Sequence, residues 1–408
     1  MAMNIQDTID RALNSAGLNT RSGPFSEVSE TIRQALASAG LAPAAGATPR
    51  SGPPDTIDVQ AREIPPNPLP PDSPLPTPQP PTPPTPGRPP APQAPGGKGR
   101  FLTRTYQGSA GTRVYKVYVP VQARTGTALP LVLMLHGCTQ NADDFAAGTQ
   151  MNALADVHGF VVAYPEQASG ANASRCWNWF RAEDQLRNSG EPAILAGIVQ
   201  AVQREYPVDP TQVFVAGLSA GAAMAVILGE TYPDLFAAVG AHSGLPYAAA
   251  HDVSSALAAM KGRAILGRSH LPGTPDDPRR PTRQAVPLIV FHGDRDHTVQ
   301  HSNGQHIVQQ VSQAYAAAHK GPGAVLNSRS ESGIAAGGRR FTRTLHSEPG
   351  GHTLVEDWTL HGAGHAWSGG SPAGSYTDPA GPDASAEMLR FFLLVAAHAI
   401  RAGVAPIP

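Results

Sequence analysis

Cysteine is scarce. Two residues, Cys138 and Cys176, in a chain of 408 are too few for a disulfide framework, and no Cys/His spacing of the zinc type accompanies them. Charge is sparse and balanced: 15% of residues are charged and the formal net charge is −1, so the basic footprint of a nucleic-acid partner is missing. No apolar run approaches the ~20 residues that cross a bilayer, so the sequence has no transmembrane segment to offer. The stretch Met1 to Asp10 carries acidic residues and no apolar h-region, and does not read as a secretory signal. A cytoplasmic address is therefore expected, with secretion not excluded. A reducing compartment argues for free thiols. Both cysteines fall in segments expected near the candidate site, however, and a single bridge stays open.

What is present divides the chain into three. Residues 1–41 hold a near-repeat, Ile9 to Leu18 against Ile32 to Leu41. In each copy apolar residues sit four apart (Ile5, Ile9, Leu13; Val28, Ile32, Leu36), one stripe of a short amphipathic helix. Gly17 and Gly40 stand where a left-handed C-cap belongs. Helices this short are marginal alone. The stripes must pack on each other or on the main domain, or else dock on a surface or a partner protein. Residues 42–99 read as a linker, and more than half of 65–95 is proline. Such a stretch favours extended polyproline II and, at about 3.1 Å per residue, reaches on the order of 90 Å.

Residues 100–408 read as one α/β catalytic domain. Val114 to Val119 is β-branched and aromatic, an early antiparallel strand. Leu129 to Leu135, Phe160 to Tyr164, Gln212 to Ala216, Ala237 to Ala241, Pro287 to Gly293 and Thr353 to Leu360 read as the further strands. Helices are expected over about 193–206, from the Ser219 turn to about Tyr232, over 305–317 and over 384–402. Residues 245–284, with Pro and Arg clusters, read as an insertion over the site and not as core. Strands alternating with helices predict a mostly parallel, doubly wound sheet. Ligands of such sheets bind at the carboxyl ends of strands. His136, Ser219, His292 and Gly362 all fall there.

The chemistry centres on Gly217-Leu218-Ser219-Ala220-Gly221. A serine at the sharp turn between a buried strand and a helix is a nucleophile elbow, and its glycines let the two backbones pass closely. A serine hydroxyl needs a base within hydrogen-bond reach and a third group to orient that base. Downstream, one strand runs into His292-Gly293-Asp294-Arg295-Asp296-His297 and the last into His361-Gly362-Ala363-Gly364-His365-Ala366-Trp367. Acid and base thus follow the serine in the expected order. Asp296 is preferred to Asp294, because it lies further into its loop and has room to turn towards an imidazole. His365 is preferred to His361, because Gly362 and Gly364 let its loop bend inwards. His361 and His292 read as packed or supporting residues. Backbone N–H groups must receive the oxyanion; those of Ala220 and Cys138 are the candidates. The aromatics Trp177 and Trp367 are candidate substrate contacts, with core packing as the alternative. No cofactor or metal is called for.

Five stretches together resemble one family: Leu135-His136-Gly137-Cys138-Thr139-Gln140, Tyr164-Pro165-Glu166-Gln167, Cys176-Trp177-Asn178-Trp179-Phe180, Gly217 to Gly221, and Gly364-His365-Ala366-Trp367. They look like the poly(3-hydroxybutyrate) depolymerase family of esterases, over about residues 101–400. The resemblance implies an α/β-hydrolase fold that cleaves polyhydroxyalkanoate esters. Carried over by motif, Ser219 is the nucleophile, Asp296 the acid, His365 the base and Cys138 N–H an oxyanion donor. It also implies a Cys138–Cys176 bridge, in tension with a cytoplasmic address. Without a signal peptide or a recognisable C-terminal binding domain, the chain is more similar to intracellular depolymerases acting on native granules. Acetylxylan and feruloyl esterases border the family, so soluble esters are the alternative substrates. An alternative of another class is an adaptor that binds a granule or partner while its hydrolase domain stands idle.

Overall fold

The structure, a computed structural model, describes residues 98–263, 277, 279, 285–319 and 325–401. The near-repeats of residues 1–41 and the proline-rich segment through residue 97 lie outside the described residues.

From Arg100 the chain forms a hairpin of β1 (Arg100–Gly108) and β2 (Gly111–Val119), then β3 (Leu129–Leu135), α1 (Ala142–Thr149), α2 (Met151–His158) and β4 (Val161–Pro165). There follow α3 (Gly190–Glu205), β5 (Val208–Leu218), α4 (Ala220–Thr231), β6 (Ala238–His242), α5 (Val253–Met260), β7 (Leu288–Gly293) and α6 (Ser302–Ala318). A second hairpin, β8 (Asn327–Ile334) and β9 (Arg340–Ser347), leads to β10 (Thr353–Leu360). Two short strands, β11 (Trp367–Ser368) and β12 (Thr377–Asp378), precede α7 (Ala384–Arg401).

Ten strands make one sheet in the order β1-β2-β4-β3-β5-β6-β7-β10-β9-β8. Its centre, β4 to β10, is parallel, and an antiparallel hairpin closes each side. Parallel strands are covered on both faces and so read as unbroken apolar runs. β4, β6 and β7 are buried at every residue. Alternate residues of β3 and β5 serve opposite layers. Leu131, Leu133, Val213 and Val215 pack with α3, α4 and α6. Val132, Met134, Phe214 and Ala216 pack with α1, α2 and α7. Each of these burials, apart from that of Ala216, contributes about 1.5–3 kcal/mol. The result is the α/β three-layer architecture expected from the alternation.

Within the expected 245–284 insertion, residues 245–263 depart from expectation, and most of the remainder lies outside the described residues. Leu245, Tyr247, Ala248, Ala249 and Ala250 are buried in the core, as are Ala256 and Ala259 of α5. Tyr247 OH donates to Gln185 O at 2.8 Å, and Gln185 Nε2 donates to Ala250 O at 2.8 Å. The alanine run here is core filling, which the flanking Pro and Arg clusters disguise in the sequence. Among the described residues, no helix is long and apolar enough to cross a membrane.

Candidate active site

The turn between β5 and α4 forces Ser219 to φ 58° and ψ −120°, a backbone conformation costly for a residue with a Cβ. Close packing explains its glycines. A Cβ on Gly217 would run into Gly221, and one on Gly221 into the carbonyl oxygens of Leu135 and His136. The elbow therefore lies directly against the loop that follows β3. Ser219 N–H donates to His242 O at 2.9 Å. Among the described residues its hydroxyl makes no hydrogen bond, to His365 or to any other group.

The loops after β7 and β10 are sewn together. Asp294 N–H donates to Leu360 O at 3.1 Å, and Arg295 N–H to Ala363 O at 3.0 Å. A Cβ on Gly293 would clash with Ala363 O and Gly364 O. This register brings Asp296 to His365, with Oδ2 and Nδ1 at 2.6 Å. The other oxygen, Oδ1, accepts from the N–H groups of Thr298 at 2.9 Å and Val299 at 2.8 Å. Burial pushes the Asp296 carboxyl up. The His365 charge and hydrogen bond, His292 and the Val299 N–H outweigh that and hold it below the usual carboxylate range. An ionised Asp296 fixes the His365 proton on Nδ1 and leaves the Nε2 lone pair free.

A second pair stands beside the first. His361 Nδ1 lies 3.0 Å from Asp294 Oδ2, and Gly362 N–H donates to Asp294 Oδ1 at 2.7 Å. This pair is at the surface, 36% exposed on both partners, whereas the side chains of His365 and Asp296 are 13% and 0% exposed. His292 is fully buried; its Nε2 lies 2.8 Å from Val299 O and 3.6 Å from Asp296 Oδ2. Burial lowers its pKa to about 4, so it is a neutral prop at physiological pH.

Gly137 N–H bonds to Gln140 Oε1 at 2.9 Å, and Thr139 N–H to Ser174 O at 2.8 Å. Among the described residues the N–H of Cys138 has no backbone acceptor, and that of Ala220 opens α4, where no preceding turn supplies one. A disulfide joins Cys138 to Cys176, resolving the choice between thiols and a bridge. Behind this loop, Trp177 Nε1 donates to His136 O at 3.1 Å, and Gln167 N–H donates to His136 Nε2 at 3.1 Å. Buried Glu191 of α3 accepts from Asn178 N–H at 2.7 Å and Nδ2 at 2.8 Å, and from the Gln167 side chain. The Tyr164–Gln167 and Cys176–Phe180 motifs are thus scaffolding for the loop.

Trp177 and Trp367 are not placed to touch a substrate. They are 0% and 1% exposed, and Trp367 Nε1 donates to Ser385 Oγ at 3.0 Å inside the core. Their indoles hold loops from beneath. Sequence reasoning also missed His242, which links the two halves of the site. Its carbonyl takes the Ser219 N–H, its Nε2 takes the Ser368 N–H at 3.0 Å, and its ring stacks on Trp367. Burial, with His292 and His365 nearby, lowers its pKa to about 3. The signal was its place at the carboxyl end of β6, in line with the other site residues. Glu191 had no comparable signal.

The sequence model of the family described as esterase PHB depolymerase matches residues 113–323. A poly(3-hydroxyalkanoate) depolymerase C of Paucimonas lemoignei is 32% identical over 241 residues, 58% of this chain and 54% of that protein. A poly(3-hydroxybutyrate) depolymerase of Ralstonia pickettii is 37% identical over 124 residues, 28% of this chain and 25% of its own length. A probable acetylxylan esterase A of Aspergillus flavus is 33% identical over 132 residues, 32% of this chain and 42% of that protein. The chain thus spans about half, or less, of the length of these relatives. Among solved structures, an acetyl xylan esterase from Aspergillus awamori superposes with a TM-score of 0.53 at 18% identity, over 73% of this chain and 100% of the other. That likeness shows a shared α/β-hydrolase fold.

Proposed function

The chain belongs to the PHB depolymerase family of esterases, and on that premise we propose that it is a serine esterase that hydrolyses ester bonds of poly(3-hydroxybutyrate) or a related polyhydroxyalkanoate. Ser219 is the nucleophile, His365 the base and Asp296 the group that orients it. The Ser219 hydroxyl attacks the ester carbonyl carbon while His365 Nε2 takes its proton. The N–H groups of Cys138 and Ala220 receive the oxyanion. Collapse breaks the bond to the alkoxy oxygen, which leaves as an alcohol with the proton from His365. Water, deprotonated by the same imidazole, then cleaves the acyl-enzyme to a carboxylic acid and restores the serine.

The observation that carries this reading is the buried 2.6 Å contact between His365 and Asp296, on loops sewn together at the strand ends where Ser219 stands at φ 58°. The two depolymerase relatives support a polyester as substrate. Turbidity clearing of native granules tests it: the wild type clears them and Ser219→Ala does not. The match to an acetylxylan esterase favours a second reading, in which soluble acyl esters are the substrates. Turnover of acetylated xylan without granule clearing would select it.

A further inference from the structure

Among the described residues, Tyr376 is the one exposed aromatic side chain, at 37%. It lies in the segment joining β11 to β12 and touches both candidate catalytic loops. Its carbonyl accepts the N–H of Trp367, two residues beyond His365, at 2.7 Å. Its phenol oxygen lies 3.3 Å from Thr139 Oγ1, next in sequence to Cys138. Tyr376 has φ 53°, a conformation unfavourable for a bulky residue. A polar clamp holds it there. Asp144 of α1 accepts from Ser375 N–H at 2.8 Å and Ser375 Oγ at 2.5 Å, and Gln140 Nε2 donates to Asp144 Oδ2 at 2.8 Å and Ser375 O at 3.1 Å. Gly374 sits so close to Gly148 that a Cβ there would clash with the Gly148 backbone. The clamp holds Tyr376 between the two loops, its backbone on one and its phenol on the other, with the residue partly open to solvent.

We propose that the ring of Tyr376 is the contact surface for the acyl chain of the ester held at Ser219. The inference rests on the esterase reading above. The carbonyl oxygen aimed at the Cys138 and Ala220 N–H groups belongs to the acyl half of the ester. The carbonyl carbon, to which that half is bonded, is thereby held beside the loop carrying Thr139, against which the Tyr376 phenol lies. An aromatic face there removes apolar chain from water, and each methylene laid on it is worth about fourfold in affinity. The substrate class is an ester with an apolar acyl chain longer than acetyl.

The test compares kcat/KM for p-nitrophenyl hexanoate and p-nitrophenyl acetate. Tyr376→Asn and Tyr376→Gly remove the ring and suit the left-handed backbone. Each is expected to lower the hexanoate-to-acetate ratio by about tenfold, chiefly through KM for hexanoate, with a Tm close to that of the wild type. Tyr376→Phe keeps the ring and is expected to keep the ratio within about twofold. An unchanged ratio in both ring-less variants overturns the inference. So does a Phe variant as impaired as Asn, since the Thr139 contact and not the ring would then matter. A wild type inactive on both esters counts against the esterase reading itself, whereas active variants with an unchanged ratio count against Tyr376 alone.

Discussion

Asp294 and Asp296 sit two residues apart on one loop, and each holds an imidazole of the facing loop. Only the second pair is shielded from water, and there a carboxylate can fix a tautomer and stabilise an imidazolium. Asp296→Asn is accordingly expected to lower kcat by about 10⁴-fold, and Asp294→Asn by less than about threefold, in steady-state assays on one soluble ester. The pairing of Asp296 with His365 was legible because depth in a loop is a property of sequence spacing. The burial of Trp177 and Trp367 was not, because ring size alone does not say whether a ring lines a cleft or fills a core. Buried neutral histidines give a separate, thermodynamic prediction. His292 faces Asp296 and His301, with a folded-state pKa of about 4 against 6.5 for the exposed side chain. Between those values the unfolded chain binds a proton that the folded one does not. Its contribution is therefore complete above pH 6.5 and is lost as pH falls towards 4. In denaturant melts His292→Asn is expected to lose stability more gently than the wild type over that window, by about 1 kcal/mol per pH unit. Equal slopes would contradict the assignment.

Elements were legible where burial writes itself into the sequence. Leu129–Leu135 and Thr353–Leu360 are strands at the expected bounds, because covered strands must be apolar. The hairpin of β8 and β9 escaped notice. β8 reads Asn-Ser-Arg-Ser-Glu-Ser-Gly-Ile and is exposed almost throughout, the polar character expected of a sheet edge. Among the described residues β1 pairs only with β2 and is half exposed, and it was missed for the same reason. The loop after β3 raises a mechanical question, since its candidate N–H donor sits on a residue tied covalently to Cys176. Cutting that tie frees the loop and the unfolded chain together. Cys176→Ser is expected to lower kcat more than it raises KM and to cost about 3–4 kcal/mol in stability, measured by steady-state kinetics and urea unfolding. A variant with wild-type kcat would show that the loop holds its shape through Glu191, Gln167 and Trp177 alone.

At the scale of the whole molecule, the sheet gathers at one edge residues that lie far apart in the chain, from His136 to His365. That gathering was readable because the order of strands and their glycine-rich ends follow from apolar periodicity. His242 was not read, because its part is to join loops through a backbone carbonyl and a ring nitrogen, which no motif records. We further propose that residues 1–41 dock the enzyme on its granule and that the proline-rich segment lets the catalytic domain range over the surface. Removing residues 1–99 is then expected to reduce granule binding in sedimentation assays by at least about tenfold while soluble-ester turnover persists; equal binding would remove the docking role. All of this depends on Ser219 being made nucleophilic by His365, and a fluorophosphonate probe asks that directly. Peptide mass spectrometry should find one adduct, on Ser219, formed at least about 10³-fold more slowly in His365→Ala. An active enzyme labelled elsewhere, or labelled at Ser219 equally fast without His365, would contradict the account.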